Sequence, residues 1–600
     1  MKPSRLTVLF SALLAASVFQ APALLAQPAD APPLPLSELK AGQKGEVWTV
    51  FRGTTVEPFA VEVTGVLHNA LGPGKSLIVC QLTDPRVQHM GAVAGMSGSP
   101  LYIDGRLAGA LSYQIQRFET VRHAGFTPTA DLQEVQEKST AGAKGLVSAP
   151  SLSPAPAAPD SSYRAMQPVF AFGGLSPVVA DLFAAQFAAL GINTIALGGS
   201  TASSSLNSQP STLNTAPLRP GSAVSVALAT GDITLAGTGT VSRIDGQKVT
   251  AFGHPMLSLG DVALPMCAAE ILTILPSQMQ SVKLANTGAV IGTITQDRLS
   301  AISGTLGAGP AMTQVEVTIR PLNAAPRTLK FSVVRQQQLT PAIVASGLSQ
   351  AILGSNDGGL ANGFRLTSNI TFPARPDLAE RTATRLEAKA VYSGPQGFAQ
   401  GLNEFVQGLA ANLQNPYAKT FPDHVAFSIE PLETNPAVTL DQFQLSRTHA
   451  SGGQIVQATL AWRDWQGEAH RETIDLPINP AWTGKQLEVV LAPGRAMDQL
   501  TGRPRVIAAS ELRSFDAYLA AMRDDRKTDG VCLAIVERTS LFSDQTVATP
   551  EVPGSFERIA RGSDEARFRK REALLPLWET HLLAGKLLST VVRRPLVVVE

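Results

Sequence analysis

One short segment of this chain has residue types suited to acyl-transfer chemistry: Gly95-Met96-Ser97-Gly98-Ser99-Pro100. A serine flanked by glycines can sit on a tight turn with its hydroxyl presented. The backbone N–H groups of Gly95 and Ser97 can then converge on one point beside it, which pairs a nucleophile with donors for a developing oxyanion. A plain Gly-Ser turn has the same composition, so the remaining catalytic groups must be sought elsewhere.

A serine hydroxyl becomes a useful nucleophile when a base takes its proton, commonly a histidine oriented by a carboxylate. Of eight histidines, His254 stands out, in Val249-Thr250-Ala251-Phe252-Gly253-His254-Pro255. An apolar strand leads into a Gly/Pro-punctuated turn that can present the ring at a strand end. A solvated turn histidine would look the same. His89, shortly before Ser97, and His68, on an alternating strand, lack a comparable turn. His424, His449, His470 and His581 fall in later segments and read as surface residues. For the orienting acid, Asp84 in Leu82-Thr83-Asp84-Pro85-Arg86 ends the apolar strand that leads to the serine loop, although Asp-Pro also commonly begins a turn. Asp261, soon after His254, is the alternative.

The elements that must position these groups are mostly strands. Gly and Pro are frequent, and Val, Ile, Thr and Leu recur in short runs between them. A chain of 600 residues exceeds one hydrophobic core and implies several domains. Residues 1–26 read as an export signal: Lys2 and Arg5 precede an apolar run from Leu6 to Phe19, and small residues follow at Ala21, Ala23 and Ala26. No later window is long and apolar enough to cross a bilayer, so no stable span is expected after signal removal. Residues 27–43 form a Pro/Ala-rich linker. Residues 44–145 are a strand block carrying Asp84 and Ser97, with a hairpin signal at Asp104-Gly105. Residues 146–221 form a linker, Pro/Ala/Ser-rich at 146–160 and Gly/Ser-rich from 198. Between those stretches the spacing predicts a helix capped at Ser176, opened by Pro177 and stopped at Gly191. Residues 222–375 are a second strand block, with a hairpin at Asp245-Gly246 and His254 on a loop. Alternation at Val456, Ala458, Leu460 and Trp462 suits a β-sandwich over 376–490. The tail, 491–600, is mixed α/β, with a helix-like stretch from Asp564 to Leu587.

The net charge of +1, with no long charge run, gives no nucleic-acid footprint. The three cysteines, Cys80, Cys267 and Cys532, are too few and too dispersed for a disulfide framework or a zinc site. No metal constellation, phosphate-cradling loop or cofactor signature is visible. An α/β-hydrolase elbow is disfavoured, because Ser99 stands where Gly-x-Ser-x-Gly needs its last glycine and a hairpin follows instead of a helix.

The segments 61–111 and 237–307 resemble the SpoIVB peptidase family. The likeness is carried by Thr83-Asp84-Pro85-Arg86, by Gly95 to Pro100, and by Asp104-Gly105-Arg106-Leu107-Ala108-Gly109-Ala110. It continues in Phe252-Gly253-His254-Pro255, Lys283-Leu284-Ala285-Asn286-Thr287-Gly288, Ile291-Gly292-Thr293-Ile294 and Ser303-Gly304-Thr305-Leu306-Gly307. The resemblance implies a secreted serine endopeptidase with a trypsin-like double β-barrel. It matches Ser97 to the nucleophile, His254 to the base and Asp84 to the third triad member, with Gly95 and Ser97 supplying the oxyanion N–H groups. The order departs from the sporulation peptidase, in which the histidine block comes first. A triad is defined by geometry, so swapped halves are tolerable if the two blocks pack face to face. The expectation is an exported endopeptidase acting on a protein or peptide, over a narrow substrate range or on itself. The competing expectation is a non-catalytic envelope protein that retains the barrel for binding.

Overall fold

A computed structural model describes residues 27–600 except 29–30, 116–119, 139–162, 167, 196–198, 201–216, 278–279, 355–361, 374–384, 415–419, 502–525, 544–547, 551–553, 556–557 and 559–568. The segment 1–26 expected to be an export signal, the Pro/Ala/Ser-rich stretch 146–160 and most of 198–221 lie outside the described residues.

The first block contains β1 (Lys44–Val50), β2 (Val56–Leu67), β3 (Leu77–Leu82), β4 (Pro100–Ile103), β5 (Arg106–Ile115) and β6 (His123–Pro128). They pair in the order β4-β1-β2-β3-β6-β5, and β4 pairs with β5 to close a six-stranded barrel. Alternation decides what fills it. Phe59, Val61 and Val63, at every second position of β2, point inward with Ile78, Cys80, Leu82 and Phe126. Asp104 and Gly105 both take positive φ, 51° and 74°, as a two-residue hairpin turn requires. The lead 27–43 is more than a linker, because Leu34 donates to the Leu107 carbonyl and Leu107 to that of Pro32.

Six strands of the second block close a ring of their own: Ala223–Gly231, Thr234–Asp245, Lys248–Ala251, Ala301–Leu306, Val282–Arg298 and Gly260–Leu275, each paired with the next and the last with the first. The chain is therefore mainly β, with the paired barrels expected of a trypsin-like fold. The helix Pro177–Ala189 forms after Ser176, although the serine hydroxyl makes no capping bond. It buries Val179, Phe183 and Phe187, with Phe187 against Phe172.

The sheet of the second barrel continues through Met312–Ile319, Arg327–Val334, Phe364–Thr371, Arg385–Tyr392 and His424–Pro431. The sandwich expected over 376–490 is thus displaced along the chain. Strands up to Pro431 extend the barrel sheet, and the sandwich recruits the tail. Its three-stranded sheet (Val438–Leu445, Ile455–Asp464, Ala469–Pro477) shares one core with Gln486–Ala492, Val531–Ser543, Arg569–Leu582 and Val592–Val599. Arg569–Leu582 is a strand where a helix was expected over Asp564–Leu587. Pro576 cannot donate within a helix interior, and in the sheet it sits opposite Val536 at a bulge that absorbs the missing donor.

Each unit holds one unpaired thiol: Cys80 in the first barrel, Cys267 in the second and Cys532 in the sandwich. Burial pushes their pKa values up to about 12, about 12 and about 11. Among the described residues, no helix is long and apolar enough to cross a membrane.

The barrels meet along an apolar seam. Trp48, Val50, Val56, Tyr102 and Leu107 of the first pack with Ala223, Ala269, Ile271 and Ala285 of the second. Gly53 and Ile271 exchange both backbone hydrogen bonds across it, at 2.6 and 3.0 Å.

Candidate active site

The serine loop is folded by its glycines. Gly95 and Gly98 adopt φ of 98° and 95°, a region that side chains strongly disfavour. A Cβ on Gly98 would also fall on the carbonyl oxygen of Thr240. That close approach presses the loop onto the second barrel. The Thr240 N–H donates to the Ser97 carbonyl at 2.8 Å, and the Thr240 hydroxyl to the Gly95 carbonyl at 3.0 Å. The Phe252 N–H donates in turn to the Thr240 carbonyl at 3.2 Å. Two backbone hydrogen bonds through Thr240 therefore link Ser97 to the strand end that carries His254.

The N–H groups within the loop divide in two. Those of Ala94, Met96, Gly98 and Ser99 donate to the carbonyls of Ser281, Val93, Leu111 and Met96. Among the described residues, those of Gly95 and Ser97 have no acceptor. They are the pair that the spacing Gly95-x-Ser97 singles out.

Ser97 is 1% exposed and His254 is fully enclosed. Ser97 Oγ and His254 Nε2 are both buried and neither makes a hydrogen bond, so the hydroxyl and ring are not in bonding contact with each other. His254 Nδ1 lies 2.7 Å from the Pro255 carbonyl oxygen. A carbonyl only accepts, so Nδ1 carries the proton and Nε2 presents a lone pair, which is the tautomer a base needs. Burial pulls the imidazole pKa down to about 4, against a smaller upward pull from the Pro255 bond, so the ring is neutral at pH 7. The next residue's surroundings are fixed from the core. Asp297 is buried, and its carboxylate accepts the N–H groups of Met256, Leu257 and Leu259 at 2.7, 2.8 and 3.1 Å. Burial raises its pKa above the usual carboxylate range, against the pull of those bonds. Thr127 of β6 clamps the turn from the other barrel by donating to the Gly253 carbonyl at 2.6 Å.

Among the described residues no carboxylate hydrogen-bonds His254, and Asp84 requires a correction. Asp84 caps the short helix α1 (Pro85–Met90), where its side chain accepts the Arg86 N–H at 2.9 Å. It also pairs with the Arg86 guanidinium at 3.0 Å. Burial alone would raise its pKa, but the bonds from Arg86 outweigh that and hold it below the usual range. Arg86 is anchored further by Glu57 and by the face of Phe51. The Asp-Pro-Arg sequence is used as a helix cap, and His254 Nδ1 is occupied by Pro255. Asp261 is no substitute, since it pairs with Arg298 at 2.5 Å on a partly exposed strand. His89 and His68 are exposed, and His68 lies just beyond the strand it was expected to join. His424 sits in the extension of the second sheet, and His449, His470 and His581 in the sandwich.

Thr240 and Asp297 were not singled out from the sequence. The alternation of the strand Val282–Arg298 gives no sign that Asp297 faces inward, because a register shift between Ile294 and Gln296 resets the phase. In the sandwich, Asp464, Glu468 and His470 place one ligand atom each within 4.8 Å of one another. Asp464 Oδ1 there already accepts the N–H groups of Gln466 and Glu468, which is ordinary hairpin capping.

The family model of SpoIVB peptidase S55 matches residues 31–118. The matched span contains β1 to β5, Asp84, Gly95 and Ser97 and stops before His254. No curated protein and no solved structure shows a significant match to the chain.

Proposed function

We propose that this protein is a serine endopeptidase, with Ser97 as nucleophile and His254 as base. The observation that carries this reading is a complementary pair at one seam: a buried, unpartnered Ser97 Oγ and a buried, unpartnered Nε2 on a ring whose other nitrogen holds the proton. The peptidase S55 match over the serine loop supports the Ser97 half of that assignment. In the reaction, Nε2 takes the hydroxyl proton as Oγ attacks a peptide carbonyl. The N–H groups of Gly95 and Ser97 receive the oxyanion, and the imidazolium returns its proton to the leaving amine. Water then releases the acyl-enzyme by the same route. The Pro255 carbonyl orients the ring in place of a carboxylate. A carbonyl steadies an imidazolium less than a carboxylate does, so slow turnover is expected.

Both groups are closed off from solvent, so productive binding requires a rearrangement that admits substrate and brings Oγ within about 3 Å of Nε2. Such gating fits a narrow protein substrate range or self-processing. Residues 1–26 support an exported location.

That the His254 ring meets a carbonyl and, among the described residues, no carboxylate also favours the second reading, a barrel kept for binding alone. Incubation of purified protein with an unfolded protein substrate and a fluorophosphonate probe separates the two. The wild type should hydrolyse the substrate and label at Ser97, whereas Ser97→Ala and His254→Ala should lose about 10⁴-fold in turnover. Hydrolysis that survives in Ser97→Ala rejects the assignment.

A further inference from the structure

Behind the serine loop runs a lysine that the reaction above does not use. Lys283 begins the long strand Val282–Arg298 of the second barrel, and its side chain is buried. A Cβ placed on Gly95 would lie 3.0, 3.3 and 3.2 Å from Cβ, Cγ and Cδ of Lys283, so the alkyl chain lies directly across that glycine. The main chain makes the same contact. The Lys283 N–H donates to the Ala94 carbonyl at 2.9 Å, and the Ala94 N–H to the Ser281 carbonyl at 2.8 Å. Ser281 Oγ donates to the Met90 carbonyl at 2.8 Å, which extends the contact to the entry of the loop. Beyond Gly95 the amine reaches the other barrel, where Nζ donates to Thr49 Oγ1 of β1 at 2.9 Å.

We propose that Lys283 is a positioning residue for the serine loop, strapping the Gly95 peptide between the second barrel and Thr49 of the first so that the Gly95 N–H stays aimed at the oxyanion position. The mechanical part rests on the contacts alone, and the catalytic consequence rests on the peptidase reading.

The sequence around Gly95 explains why a strap is needed. Gly95 has no side chain to pack, its φ of 98° is one that glycine leaves easily, and its N–H has no acceptor in the resting protein. Nothing within the residue holds the peptide plane. The Thr240 hydroxyl grips the Gly95 carbonyl, and the Lys283 chain covers the α-carbon. A buried amine is a costly way to fill that space. Burial pulls its pKa down to about 7, and an apolar side chain of equal length would avoid the penalty. What the amine adds is a fixed far end, because its bond to Thr49 stops the chain from swinging off Gly95.

The test uses the full chain and three variants, Lys283→Ala, Lys283→Met and Thr49→Val. Hydrogen exchange of the peptide spanning residues 91–99 reads the strap without reference to activity. Lys283→Ala should speed exchange in that peptide at least tenfold, with the rest of the first barrel unchanged. Lys283→Met keeps the chain but loses the bond to Thr49, and Thr49→Val keeps the amine but loses its acceptor, so both should fall between Lys283→Ala and the wild type. In a hydrolysis assay Lys283→Ala should lower kcat at least tenfold with KM within twofold, and Lys283→Met should recover part of it. Unchanged exchange in Lys283→Ala overturns the proposal, as does a rise in KM at constant kcat. If wild type and Ser97→Ala are equally inactive, the peptidase reading fails, and exchange in the loop still decides for or against the strap.

Discussion

At the residue scale, His254 is the side chain whose surroundings matter most for both chemistry and stability. In the folded chain its pKa lies at about 4, against 6.5 for an ordinary histidine. Below pH 6.5 the unfolded chain takes up a proton that the native state refuses. The stability present above that pH is therefore lost as pH falls toward 4. The shift corresponds to about 3 kcal/mol. Urea denaturation across pH 7 to 4 should show this loss, and His254→Gln should flatten it; an equally steep profile in the variant would place the effect elsewhere. Asp84 gives the complementary prediction. As a helix cap it stabilises by about 1 kcal/mol, so Asp84→Ala should lower the unfolding midpoint slightly and leave kcat within severalfold. A collapse of kcat by about 10⁴ would reinstate Asp84 as the third member of a triad.

At the scale of elements, the legible parts of the sequence were those set by local chemistry. Gly95 to Pro100 announced a tight, side-chain-poor loop because glycine alone tolerates its backbone. Asp104-Gly105 announced a hairpin, and Ser176-Pro177 a helix start, for similarly local reasons. What stayed hidden depends on partners distant in the chain. Asp297 turns inward through a register shift that no alternation pattern records. Thr240 looks like any strand threonine until the serine loop is laid across it. Asp84 shows the reverse error, because a carboxylate close to the serine in sequence was spent on its own helix. The strand Arg569–Leu582 was misread because charged and apolar residues at mixed spacing imitate a helix, and only pairing with Val531–Ser543 settles it.

At the scale of the whole molecule, the two halves of the site come from barrels separated by a helix-bearing connection, and their alignment depends on the seam. Gly53–Ile271 and Thr240–Ser97 are backbone fasteners and the Thr127 hydroxyl on the Gly253 carbonyl a side-chain one, and each crosses from one barrel to the other. The order of the strand blocks along the chain does not enter that geometry.

The distribution of thiols has a practical corollary. One cysteine lies buried in each of the three units, protonated and shielded, and no cross-link joins them. An alkylating reagent should ignore the native protein in oxidising or reducing buffer alike, and mark each core only when that core opens. Mass mapping of adducts at Cys80, Cys267 and Cys532 along a urea gradient should then report the order in which the barrels and sandwich come apart, using sensors already built into the chain. Adducts at all three sites in the absence of denaturant would contradict the burial described above.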